Sequence, residues 1–256
     1  MAFRLTLALL LLVAAADRAT ATDVTACGQT VAARDTGVLT ADLTCSSSAE
    51  GVFLEERATL DLGGHTISGG GVLCGGSCTV KGPGTIANVH TDGGYGAGIY
   101  ANLQGGRKRK FLAENVDVHD NDTGIVSQAA RVTLSGVNAS NNDQNGIRTL
   151  GARVVRATNV TASNNGESGL SDFTATVRIG TVRLTGFTAM GNGRGGVTHD
   201  GRVTVLVGST VTGNAWPPAP DEPTMVDIAT AEGRCPRLTT TTCDHSFPNC
   251  HVCSGD

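Results

Sequence analysis

The chain has 256 residues and a formal net charge of −4, with only 4% aromatic and 16% charged residues beside 35 glycines. An acidic balance excludes general nucleic-acid binding. So little aromatic and so much glycine excludes a thick globular core and suits thin coils filled by small β-branched side chains.

The first segment, residues 1–21, combines Arg4, an apolar run over residues 5–16 and small residues at Ala14-Ala15-Ala16 and Ala19-Thr20-Ala21. It reads as a secretory signal peptide rather than a membrane span, cleaved after Ala16 or Ala21. Val24-Thr25-Ala26-Cys27 loosely matches a lipoprotein box, but Asp17, Arg18 and Asp23 intervene and argue against lipidation. The remaining chain is expected to be one elongated domain, secreted to an extracellular or periplasmic space, with no membrane span. Eight cysteines follow the signal, as suits an oxidising compartment. Cys27, Cys45, Cys74 and Cys78 precede the regular repeats, and the pairs Cys27–Cys45 and Cys74–Cys78 are expected among them.

From Gly98 to Asn214 one pattern is written about five times. Its clearest copies are Gly124-Ile125-Val126-Ser127 with Arg131-Val132-Thr133-Leu134 and Val137-Asn138-Ala139-Ser140-Asn141-Asn142, and Gly146-Ile147-Arg148-Thr149 with Arg153-Val154 and Asn159-Val160-Thr161-Ala162-Ser163-Asn164-Asn165. Looser copies begin at Gly98-Ile99, Gly169-Leu170 and Gly196-Val197, and close on Asn121, Asn192 and Asn214. The anchor glycines stand 26 (98 to 124), 22 (124 to 146), 23 (146 to 169) and 27 (169 to 196) residues apart, which is a solenoid period.

Each copy holds three short alternating apolar runs and no helical periodicity, hence three strands. At ~3.3 Å per residue, about 22 residues travel once around a triangular coil, and successive coils stack in parallel at ~4.8 Å. The Asn ahead of each Gly predicts side-chain amides that satisfy one another and buried backbone groups at a tight corner. An antiparallel sandwich would explain the turns but not this unit. The expected fold is all-β: a single-stranded right-handed parallel β-helix with disulfide-stapled ends. It is regular over residues 98–214, after an N-terminal cap and first coils over residues 22–97.

Leu60-Asp61-Leu62-Gly63-Gly64-His65-Thr66-Ile67-Ser68-Gly69, then Val80-Lys81-Gly82-Pro83-Gly84-Thr85-Ile86, resembles the opening coils of secreted right-handed parallel β-helix proteins of the pectin-lyase-like superfamily. The resemblance covers the chain from about Cys27 to Asn214. It implies the fold and a relation to polysaccharides, but it does not carry catalytic residues across. The Asn-Thr-Asp and Asp-Asp motifs of polygalacturonases are absent, Gly64-His65-Thr66 falls in an early coil, and Arg178-Ile179-Gly180 lacks the lysine of their Arg-Ile-Lys. Trp216, the one tryptophan, is followed by Pro217-Pro218 and not by the Asp-His of a pectate-lyase Trp-x-Asp-His segment.

Alternation sorts the side chains into columns. In the first strand of each coil Ile99, Ile125, Ile147, Leu170 and Val197 are expected inside, with Tyr100, Val126, Arg148, Ser171 and Thr198 outside. One step on, Ala101, Ser127, Thr149, Asp172 and His199 share the place where strand gives way to turn. This makes Asp172 and His199 neighbours one coil apart, with Asp200 beside them and Arg148 one coil below Ser171. A carboxylate and an imidazole beside an arginine could abstract a proton from a sugar carbon, so Arg148, Asp172, His199 and Asp200 are the candidate catalytic set. The structural alternative is a hydrogen-bonded polar pair at a corner.

Asp117 and His119 face outward together beside Asp120, above a neutral strip of Asn138/Ser140, Asn159/Thr161 and Gly186/Thr188. Asp117 and Asp120 are the candidate metal ligands. Calcium is the ion that such oxygen donors would hold, and no other cofactor is implied. Arg131, Arg153, Arg178 and Arg202 each precede a second strand and are expected to stack in a row. With Tyr100 they are the candidate contacts for an extended polyanion, the alternative being a solubilising corner. Arg107-Lys108-Arg109-Lys110 adds basic character at a long turn.

After Asn214 the prolines of Trp216-Pro217-Pro218-Ala219-Pro220-Asp221-Glu222-Pro223 preclude a central strand. Residues 215–256 are expected to form a crossing and a cysteine-rich cap, with one returning strand over residues 225–230. Cys235, Cys243, Cys250 and Cys253 allow three pairings. Zinc held by Cys250, Cys253 and His245 is the alternative, disfavoured in an exported chain. Three functions remain: binding of an extended, acidic extracellular or cell-wall polysaccharide along the face; a lyase, hydrolase or epimerase acting on such a glycan; and a structural or display protein.

Overall fold

The computed structural model describes residues 21–46, 51–91, 96–102, 108–173, 180–199, 203–215, 226–230, 235–244, 246–247 and 253. The expected signal peptide, but for Ala21, and the proline-rich crossing fall outside these. Over the described residues every regular element is a strand, and the strands build three walls. Wall A is a ten-stranded sheet from Thr22–Val24 to Arg237–Thr239, and wall B is a second, from Gln29–Val31 to Ser246–Phe247. Wall C comprises a four-stranded sheet ending at Asp117–His119 and a three-stranded sheet beginning at Thr188–Met190. Single bridges from Asp117 to Asn138, Asn138 to Thr161 and Thr161 to Thr188 join the two. Pairing is parallel along each wall, so the chain is the parallel β-helix that its period predicts. No helix long and apolar enough to cross a membrane occurs among the described residues.

The first strand of each coil lies in wall B with the expected faces. Val72, Ile99, Ile125, Ile147, Leu170, Val197 and Ile228 form one in-register column and are all buried. Tyr100, Val126, Arg148, Ser171 and Thr198 are half-buried on the outer side. Wall A faces this column with Phe111, Val132, Val155 and Val182. Each buried aliphatic contributes about 1.5–3 kcal/mol, which is the main force holding neighbouring coils together.

The corner before wall B carries the asparagine ladder. The side-chain Oδ1 of Asn142 accepts from the backbone N–H (3.2 Å) and Nδ2 (3.1 Å) of Asn121. Asn165 does the same for Asn142, Asn192 for Asn165, and Asn214 for Asn192. At the top Asp227 takes the next place, its Oδ1 accepting from the backbone N–H (3.2 Å) and Nδ2 (2.7 Å) of Asn214. The anchor glycines follow from this ladder. A Cβ on Gly124 would lie 2.5 Å from the Gly146 carbonyl oxygen and 2.9 Å from Asn142 Nδ2; one on Gly169 would lie 2.6 Å from the Ala162 oxygen. Side-chain amide and backbone pass too close for any larger residue.

The structure moves two expected columns. Arg131 pairs with Val154 rather than Arg153, and Val154 with Thr181, so the row of Arg131, Arg153, Arg178 and Arg202 does not form as expected; Arg178 and Arg202 lie outside the described residues. The strip over Asp117 runs through Asn138, Thr161 and Thr188, not Asn159 and Gly186. Asn159 and Gly186 instead join Asn115, Gly136 and Gly208 in a left-handed corner, φ 52–62°, where Gly and Asn carry the least strain.

The coil also continues past residue 214. Val226–Thr230 joins wall B against Gly195–His199, and Arg237–Thr239, Thr242–Cys243 and Ser246–Phe247 extend walls A, C and B. The described strands of the cysteine-rich tail thus add a further turn to the solenoid. Disulfides Cys27–Cys45 and Cys74–Cys78 form as expected. Cys243–Cys253 settles part of the tail, Cys235 is disulfide-bonded as well, and none of the described cysteines is free. With Cys253 oxidised, the zinc reading of the tail loses a ligand; Cys250 and His245 lie outside the described residues.

Candidate functional site

The outer surface of wall B and the corner preceding it carry a polar pocket of about 400 Å³. Two residues after the ladder asparagines, Gln144, Glu167 and Arg194 stack coil over coil. The Glu167 N–H donates to the Gln144 carbonyl at 2.8 Å and the Arg194 N–H to the Glu167 carbonyl at 2.9 Å. Arg148 and Ser171 follow on wall B in direct register, and Asn145 and Phe173 complete the lining.

Alternation turns Leu170 and Asp172 inward and therefore Phe173 outward, where it stays 54% exposed; Met190 is the other large apolar side chain as open among the described residues. Glu167 accepts a hydrogen bond from Asn145 Nδ2 at 2.7 Å and lies 3.6 Å from Arg194 Nη1. Arg148 has no carboxylate partner among the described residues. An exposed aromatic ring offers a stacking surface, and the guanidinium and side-chain amides beside it offer donors to an anion.

The candidate catalytic set is brought together differently. Asp172 and His199 are in register, with His199 Nδ1 2.7 Å from Asp172 Oδ2. Both side chains point into the coil and are fully enclosed. The Thr149 hydroxyl donates to Asp172 Oδ1. Among the described residues His199 Nε2 has no hydrogen-bond partner, and the short Nδ1 approach lacks hydrogen-bond direction. Arg148 lies on the opposite, outer side of the same sheet, and Asp200 lies outside the described residues. A pair sealed behind wall B cannot touch a glycan on its surface, so this placement supports the structural alternative.

Tyr100 is on the outer face two coils below Arg148, its hydroxyl accepting from Gln128 Nε2 at 3.1 Å. Arg131 and Arg153 are exposed on or beside wall A, away from the pocket. In place of the expected row, wall A carries two in-register pairs of exposed cations, Lys110 with Arg131 and Arg156 with Arg183, offset from each other by two residues along the strand. Asp117 accepts from Asn138 Nδ2 at 2.9 Å, and Asp120 faces His119 Nδ1 at 2.7 Å. Asp117 Oδ2 also lies 4.0 Å from His119 Nε2, so the imidazole stands between the two candidate metal ligands.

A different convergence, of His90, Asp122 and Asp143, lies below the pocket on the same corner. Burial pushes the Asp122 carboxyl up, but hydrogen bonds from His90, Gly96 and Thr91 and the nearby imidazole outweigh it and hold the group below the ordinary carboxylate range. Sequence reasoning passed over Gln144, Glu167, Arg194 and Phe173. The signal was present, because the first three each stand two residues after a ladder asparagine.

Residues 70–221 match the family described as Right handed beta helix region. Among curated proteins no match is found. Among solved structures, the crystal structure of pectate lyase Pel9A is similar to this chain, with a TM-score of 0.44 and 12% identity over 89% of this chain and 71% of that one.

Proposed function

This chain belongs to the right-handed β-helix family, and we propose that it binds an extended acidic polysaccharide, holding one stretch of it in the wall B pocket. The observation that carries this reading is Phe173, left open at a pocket otherwise lined by hydrogen-bonding and charged groups. A single exposed aromatic is commonplace on a surface, but here it adjoins Arg148, which has no carboxylate partner among the described residues, and the amides of Gln144 and Asn145. Stacking of a sugar face on the ring, with a carboxylate or sulfate on Arg148, uses each of these groups.

Binding is favoured over hydrolysis because glycoside cleavage by paired acids needs two carboxyl groups at the bond. Glu167 is the one carboxylate among the described lining residues, and it is already engaged by Asn145. The disulfides fit an oxidising extracellular compartment, where such polymers occur.

A glycan array followed by calorimetry with acidic oligosaccharides and their neutral counterparts tests the reading. Acidic chains are expected to bind more tightly, and Phe173→Ala and Arg148→Ala each to weaken binding about tenfold, the loss of ~1.4 kcal/mol. Unchanged affinity in both variants, or no binding by the parent protein, overturns it. New reducing or unsaturated ends in the bound glycan would move the protein to the enzymes.

A further inference from the structure

Three side chains from consecutive coils meet at the corner before wall B. His90 follows the wall C strand Thr85–Ala87, Asp122 follows the ladder residue Asn121, and Asp143 follows Asn142 one coil higher. His90 Nδ1 lies 2.9 Å from Asp122 Oδ1 and 3.6 Å from Asp143 Oδ2. One donor atom from each of the three lies within 4.8 Å of the other two. We infer that His90, Asp122 and Asp143 form a binding site for a divalent first-row transition ion of the zinc class.

Geometry and donor chemistry both support this. Around an ion with metal–ligand distances of about 2.1 Å, neighbouring ligands stand about 3.0–3.4 Å apart in octahedral or tetrahedral arrangements. The two separations from His90, 2.9 and 3.6 Å, bracket that range, and the third side is no longer than 4.8 Å, so side-chain rotation suffices to close the three on an ion. Asp122 is fixed in advance, because its Oδ2 accepts from the backbone N–H groups of Thr91 (3.0 Å) and Gly96 (2.6 Å). That leaves Oδ1 directed at the imidazole. An imidazole nitrogen with two carboxylates suits zinc, cobalt or nickel, whereas calcium prefers an all-oxygen shell. The side chains of His90 and Asp143 are 47% and 72% exposed, which leaves an ion path and room for water or a ligand on the open side. The competing account is an imidazolium held between two carboxylates with no ion, and it makes a different prediction.

The site does not depend on the glycan reading, so its test uses the metal alone. The oxidised full chain, stripped by chelator, is titrated with Zn²⁺ by calorimetry and with Co²⁺ by visible absorption. Wild type is expected to take up an equivalent that His90→Gln and Asp143→Asn each weaken at least tenfold. Asp143→Asn alters an exposed side chain, so a far-ultraviolet spectrum like that of the parent separates lost ligation from lost fold. Asp42→Asn, at the separate exposed contact of His65 with Asp42 (3.2 Å), is expected to leave that equivalent unchanged. The inference is overturned by no zinc uptake in wild type, by uptake that both site variants retain, by uptake that Asp42→Asn abolishes, or by tighter binding of calcium than of zinc.

Discussion

At Asp172 and His199 chemistry and position pull in different directions. Their residue types suggest acid–base work, yet both occupy the inward column of wall B that in lower coils holds Cys74, Ala101, Ser127 and Thr149. The column becomes more polar as it climbs: the Thr149 hydroxyl donates to Asp172 Oδ1 from below, and His199 Nδ1 comes within 2.7 Å of Oδ2 from above without hydrogen-bond direction. Removing one member of a buried pair leaves the other without compensation, at a cost of about 3–5 kcal/mol when both are charged. Asp172→Ala is therefore expected to lower the urea midpoint markedly while leaving the glycan affinity of the folded fraction unchanged. Normal stability together with lost affinity would return these residues to the functional surface.

Within one coil the elements are specified by two sets of residues that do not follow one another rigidly. The anchor glycines, the aliphatic columns and the ladder asparagines were legible because each is imposed by a contact with its own copy in the next coil. The corner lengths were not legible to one residue. Between Ser127 and Arg131 the chain spends three residues, 128–130, but between Thr149 and Val154 it spends four, 150–153. That extra residue places Val154 over Arg131 and carries Thr161 over Asn138, so arginines spaced like a row are not one. The pocket was hidden for a related reason: Gln144, Glu167 and Arg194 share a position but not a residue type, and a pattern of identities passes over them. The ladder makes the element-scale prediction. Asn165 accepts from the backbone and side chain of Asn142 and donates to Asn192, so Asn165→Ala orphans buried groups at about 1–3 kcal/mol each. A fall in melting temperature of about 6 °C or more is expected, whereas Asn164→Gly at the exposed neighbour, whose φ of 56° glycine accepts, should cost far less. Equal effects of the two would remove the ladder as a stabilising device.

Across the whole molecule each coil contacts chiefly the coils before and after it, so stability is close to a sum of nearest-neighbour terms and is lowest where a neighbour is missing. Among the described residues Thr22–Val24 and Ser246–Phe247 are end strands of their sheets, and covalent links stand near both ends. Cys27–Cys45 spans 18 residues and ties the first wall B approach to wall C; Cys243–Cys253 spans 10 and holds the last coil. In the chain-entropy account a loop of about 15 residues is worth ~3 kcal/mol, and that value falls with loop length. By contrast Cys74–Cys78 closes only 4 residues between strands that already have coils on both sides. Replacing Cys27 and Cys45 by serine is thus expected to release amide-exchange protection in Thr22–Val24 and Gln29–Val31 first, with the coils joined by Asn142, Asn165 and Asn192 still protected. The Cys74 and Cys78 double variant should leave the ends nearly unchanged. A uniform loss of protection along the chain in the first variant would show instead that the coils open as one cooperative unit, and that the terminal disulfide acts on the entire solenoid rather than on its frayed end.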